Sequence, residues 1–292
     1  MHEYLKAIGF SGITNKREQD RLEKWVLEAP DRFSVVSYKP GVDLALAERS
    51  CGGHAGVAVL GEVDESGIIV PEYTFPYLDG QVTSSQGRIS YEPQPTRRGF
   101  MGMCEDDRLG MALIFDVKNV IELIKDEQTM QNPAERSAAL SALASDGTVL
   151  LPLEERVRVK NTAGFCDDFN VYDEEEEDDE AYRAAMEKMA KDNIRELESI
   201  ARRIHSEDIF SLVDSFLMPH GMASDNYYFL GDIRAVRKVE NTYTKESFYQ
   251  MIVESNGFPF SVAIGVKDLQ GAPEPGRRLR CHAWFTGEIR TR

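Results

Sequence analysis

Asp173-Glu174-Glu175-Glu176-Glu177-Asp178-Asp179-Glu180 is a run of eight consecutive acids, and it leads into a patterned segment ending at Arg202, Arg203 and His205. Reading the whole stretch, Asp173 to His205, as one helix divides the chain in two. Tyr182, Met186, Met189, Ala190, Ile194, Leu197, Ala201 and Ile204 recur at spacings of three and four, which places them on one face of a helix. Lys188, Lys191, Asp192, Arg195, Glu198 and Arg202 fall on the opposite face, with Glu198 and Arg202 spaced to support each other across one turn. Acids at the start and bases at the end also suit the helix dipole, each exposed charge contributing about 0.3–1 kcal/mol. The pattern predicts a long linking helix with one buried face. A calcium loop is not indicated, because the spacing of a D-x-[DN]-x-[DN]-G loop is missing.

Upstream of this segment the period changes. Asn15 with Glu18 three residues later resembles a capping box, and Leu22, Trp25, Val26 and Ala29 mark a helical face that Pro30 closes. From Phe33 onward the alternation is that of strands. Gly56–Val63 and Ile68–Phe75 flank Asp64-Glu65-Ser66-Gly67, a turn candidate, and together read as a hairpin. Short strand signals follow at Arg88–Glu92, Gly99–Cys104 and Leu109–Val117. Asn119 then offers a cap for a helix through Lys125, and Asn132-Pro133 with Glu135 predicts another through Ala144. Residues 1–153 therefore read as an α+β domain with a mostly antiparallel sheet and helices, and residues 154–225 as an acidic linker and long helix.

Downstream the pattern is all strand. Tyr227–Val239, Ser247–Ser255, Phe258–Val266 and Arg278–Ile289 each present one apolar face, with Phe260, Val262, Ile264 and Val266 the clearest alternation. Short strands with one inward face must curl to bury it. Residues 226–292 are thus expected to form a small β-barrel of the OB-like or SH3-like type.

A formal net charge of -16 disfavours whole-protein binding to nucleic acid or anionic membrane. No stretch reaches the roughly 18 apolar residues of a membrane span, and the N-terminus shows no secretory pattern, so the expectation is a cytoplasmic protein. Cys51, Cys104, Cys166 and Cys281 are too scattered for a zinc or redox motif. No cofactor or metal is expected.

Charge reverses sign near Asp225. Residues 226–292 hold ten Lys or Arg against seven Asp or Glu, a local +3. If Leu279, Cys281 and Phe285 point inward, Arg278, Arg280, His282 and Trp284 share the outer face. That mixture of bases and aromatics suits a protein partner or self-association, and the function expected is that of a non-enzymatic binding or scaffold protein. Bases among aromatics also bind single-stranded nucleic acid, an alternative for the C-terminal barrel that +3 supports only weakly. A third reading, an enzyme on a small substrate, rests on Cys51-Gly52-Gly53-His54-Ala55-Gly56, where a thiol, an imidazole and flexible backbone lie together. No G-K-[ST] or G-x-G-x-x-G accompanies them, and a turn between strands explains the glycines as well.

Met1 to Phe10, Gly61-Glu62-Val63-Asp64 with Tyr73 and Phe75-Pro76-Tyr77-Leu78, Lys267 to Gly271 with Pro273, Gly276-Arg277-Arg278, and Trp284 together resemble an uncharacterised bacterial family known only as a domain of unknown function. The resemblance spans nearly the whole chain. It implies a bacterial cytoplasmic protein and carries no activity, cofactor or catalytic residue with it.

Overall fold

The computed structural model describes residues 2–94, 99–129, 136–150, 213–221 and 225–291. Met1–Pro152 and Ser215–Arg292 form one compact unit; Leu153–Asp214 form a second, and the long helix read from Asp173 to His205 lies outside the described residues.

The described residues are mostly β, which corrects the α+β expectation. After a 3-10 turn at Glu3–Ile8, helix α1 (Lys16–Glu28) begins where Asn15 accepts a hydrogen bond from the Glu18 amide. Glu18 reaches back to the Thr14 amide at 2.7 Å, so two otherwise unpaired donors at the helix start are satisfied. Leu22 and Val26 form its buried stripe. Strands β1 (Arg32–Lys39), β2 (Val42–Gly52), β3 (Ala55–Val63) and β4 (Ile69–Leu78) follow as an antiparallel meander. The β3–β4 hairpin is the one read from sequence. Asp64 Oδ1 accepts from the Ser66 and Ile68 amides at 2.9 Å each, and Gly67 supplies the positive φ that closes the turn.

The second sheet holds β5 (Arg88–Pro93), β6 (Phe100–Asp106), β7 (Met111–Val117), β8 (Arg136–Leu150), β9 (Phe216–Pro219), β10 (Asn226–Glu240), β11 (Ser247–Ser255), β12 (Phe258–Gly265), β13 (Leu269–Gln270) and β14 (Arg278–Thr291). A short helix, α2 (Val120–Thr129), links β7 to the segment before β8. The strand order is β13-β8-β12-β11-β10-β14-β7-β6-β5, with β9 beside β10 and a further pairing between β8 and β14.

That last pairing corrects the expected architecture. The C-terminal strands do not close into an OB-like or SH3-like barrel of their own. β12 and β14 are joined through β8, which pairs with β12 in parallel on one edge and with β14 antiparallel along its full length on the other. Strands from both ends of the sequence therefore share one sheet. The pairings form a cycle, and Phe229, Phe260 and Phe285 meet across it, with ring centroids 5.0 and 5.1 Å apart at Phe229–Phe260 and Phe260–Phe285.

β8 also overturns the helix predicted through Ala144. Its Ser137-Ala138-Ala139-Leu140-Ser141-Ala142-Leu143-Ala144 favours a helix locally, but every residue is buried, with β14 along the whole run and β12 on the other edge of Ser141–Ala144. Tertiary packing outweighs a propensity of a few tenths of a kcal/mol per residue. Small side chains are required there: a Cβ on Gly80 would come within 2.7 Å of the Ala139 Cβ. On that outer face of the cycle lie the N-terminal 3-10 turn and β4.

Candidate functional site

Past the bulge at Ile233/Ala235, β10 runs beside β11 as an open-faced ribbon. Ala235, Val236 and Arg237 of β10, Gln250, Met251 and Ile252 of β11, Ser261 of β12, and Leu78 and Gln81 at the end of β4 line a pocket of about 210 Å³. Most of the lining is apolar. Arg237 and Gln250 stand opposite each other in the register, and the Arg237 Nε donates to Gln250 Oε1 at 2.7 Å while Nη2 donates to the same oxygen.

An arginine side chain can only donate, so this contact fixes which end of the Gln250 amide is oxygen. The amide Nε2 is left without a partner, although Gln250 is only 6% exposed. Burying such a donor unpaired costs about 1–3 kcal/mol. Gly53 lies directly on this amide: a Cβ there would sit 2.7 Å from both Nε2 and Oε1. Gly53 thus lets the β2–β3 turn approach Gln250, while Gly52 lets it approach the Glu240 carbonyl, 2.8 Å from where a Cβ would sit. Cys51 is buried, and desolvation pushes its thiol up to about 12, which holds it protonated at neutral pH. His54 is exposed on the turn.

A second cluster of charges is buried where β2, β4 and β14 meet the end of β7. Lys118, 3% exposed, lies 3.1 Å from Glu48 Oε1 and 3.1 Å from Glu288 Oε1, and also pairs with Asp79. The Glu48 contact is an ion pair without hydrogen-bond alignment, which leaves Oε1 formally unsatisfied. Arg32 Nε holds the other Glu48 oxygen at 3.0 Å, and the Lys118 ammonium sits 4.2 Å from the centre of the Tyr77 ring. Desolvation opposes the lysine's charge, but Glu48, Asp79 and Glu288 together outweigh it and raise its pKa. A nucleophilic or basic lysine must be neutral. This one is held protonated and acts as a strut between the sheets.

The four residues singled out on β14 do not share one exposed face. Arg278 is 5% exposed and Arg280 half-buried. His282 is half-buried, with Nδ1 3.2 Å from Asp146 Oδ1 and its ring stacked on Tyr228 at 4.4 Å. Trp284 is 2% exposed: its Nε1 donates to Asp225 Oδ2 at 2.8 Å, His2 lies 4.3 Å from its ring, and Tyr4 stacks at 6.0 Å. Alternation correctly aligns Trp284 with His282, but the N-terminal turn covers that end of the face, and no local signal at Trp284 announces a cover more than 270 residues away. The Arg237–Gln250 pair escapes sequence reading for a similar reason, since only the register brings the two together.

Among the described residues no three His, Cys, Asp or Glu side chains cluster as a metal site, and no helix is long and apolar enough to cross a membrane. No curated protein and no solved structure matches the chain. A family model described as "Domain of unknown function, E. rectale Gene description (DUF3881)" matches residues 5–287. With the match running from the N-terminal turn into β14, the chain belongs to this bacterial family.

Proposed function

We propose that the protein is a binding protein that acts through a protein–protein interface, and that an acidic, extended segment of the partner docks along the open edge of β10. The supporting observation is the half-paired strand. β10 pairs with β14 only over Asn226–Asp232, and beyond the contacts of Ile233 with Gly276 and Arg277 no described strand lies on that side, while β11 continues to pair the other side to Glu240. From Arg234 to Val239 alternate backbone donors and acceptors face outward, the template used when a peptide adds to a sheet.

Charge selects the occupant. Arg237 and Lys238 are exposed and have no ion-pair partner among the described residues. Two copies of this edge repel each other, whereas an acidic segment is attracted. Charges farther off than about 8 Å are screened at physiological salt, so the local pair governs close approach.

Panning a random peptide library on the full chain tests this reading. Acidic sequences rich in β-branched residues are expected to enrich, to lose about tenfold or more in affinity against the R237E/K238E variant, and to weaken as salt rises. Enrichment of neutral or basic sequences, or unchanged binding by the variant, would refute it.

A further inference from the structure

We infer that the pocket over Gln250 is a binding site for a small aliphatic carboxylate. The inference goes beyond the partner reading and does not require a partner to be present.

Three of its four polar residues, Arg237, Gln250 and Ser261, have unused capacity to donate; the fourth, the exposed Gln81, turns its amide nitrogen to the Asp79 carbonyl. Arg237 has five N–H donors and spends two on Gln250 Oε1. Gln250 Nε2 is nine-tenths buried with both hydrogens unspent. Ser261 Oγ accepts from the Gln81 amide at 2.9 Å, which leaves its own hydrogen to give. No carboxylate lines the pocket. A ligand complementary to these groups must bring acceptors and a negative charge, and a carboxylate accepts from a guanidinium and a neighbouring amide at once.

The rest of the lining sets the remainder of the ligand. Leu78, Ala235 and Ile252 are apolar, and a hydrated phosphate or sulfate would leave them wetted. An alkyl tail covers them. The volume of about 210 Å³ corresponds to about seven waters at their share of liquid volume, close to the size of hexanoate.

The test is a titration of the full chain with sodium hexanoate, followed by NMR of methyl-labelled Met and Ile. Saturable shifts are expected at Ile252, which shares the face of Gln250 in the register, and smaller ones at Met251, which points into the core. Hexan-1-ol and hexylamine, which match the tail and lack the carboxylate, are expected to bind at least tenfold more weakly, as is inorganic sulfate, which has the charge without the tail. R237Q alters an exposed side chain and so preserves the fold; it is expected to weaken hexanoate at least tenfold, with Q250L doing the same. The proposal is overturned if Ile252 does not shift, if hexan-1-ol or sulfate binds as well as hexanoate, or if R237Q binds hexanoate like the parent. A failed peptide selection beside intact hexanoate binding would remove the partner reading alone.

Discussion

Lys118→Met is expected to lower the unfolding free energy by about 3–5 kcal/mol, the cost of removing one member of a buried ion pair and leaving the other uncompensated. The stranded group is Glu48, which is buried on β2 and keeps Arg32 as its one cationic partner among the described residues. Asp79 and Glu288 are more exposed and recover solvent. The loss should depend on pH in a direction that identifies Glu48. Burial already raises its carboxyl pKa, against the opposing pull of Lys118 and Arg32, and taking Lys118 away raises it further. A carboxyl with a raised folded-state pKa binds more protons folded than unfolded, so stability is greatest below its unfolded value and falls as pH rises through the folded one. The variant should therefore be least stable near neutrality and recover as the solution is acidified. Glu48→Gln on that background should restore about 1–3 kcal/mol at pH 7 by removing the buried charge. Urea denaturation of the parent, the single and the double variant across pH measures this. If the single variant is equally destabilised at every pH, Glu48 is not the stranded charge.

What the sequence disclosed about this molecule follows the range over which each decision is made. The β3–β4 turn is settled within five residues by Asp64 and Gly67, and the α1 start by Asn15 and Glu18; both were legible. The C-terminal strands were legible for the same reason, since β10, β11, β12 and β14 each carry their own alternation. Their closure was not. It depends on β8, whose alanine-rich sequence favours a helix and becomes a strand because two distant strands and two packed faces leave room for nothing larger. Read as a helix, that one segment takes a strand from the first region and makes the last strands look self-sufficient. The candidate site shows the same division. Glycines 52 and 53 stand out in sequence, and their purpose lies about two hundred residues away, Gly52 against the Glu240 carbonyl and Gly53 against the Gln250 amide. Arg237 and Gln250 are unremarkable until the register sets them opposite each other.

Trp284→Ala is expected to cost about 3–5 kcal/mol, within the range for deleting a buried aromatic side chain from a packed site. The ring fills the space between β14 and the N-terminal turn, against His2 and Tyr4. Its N–H is also the donor to Asp225, itself buried, whose backbone carbonyl accepts from the Phe285 amide. Trp284→Phe separates the two contributions. It keeps much of the ring contact and removes the donor, and a hydrogen bond to a charged group accounts for about 1.5–3 kcal/mol. The phenylalanine variant should thus lose roughly half of what the alanine variant loses. His282→Ala, two residues earlier on the same side of β14 but partly open to solvent, should change stability by less than about 1 kcal/mol. These three values decide what Trp284 is for. A residue held for partner contact would tolerate substitution in the isolated protein and fail only in binding. Thermal and urea unfolding near parental values for Trp284→Ala would restore it to the binding face; a large loss, halved in the phenylalanine variant, makes it the pin that fastens the N-terminal turn to the sheet.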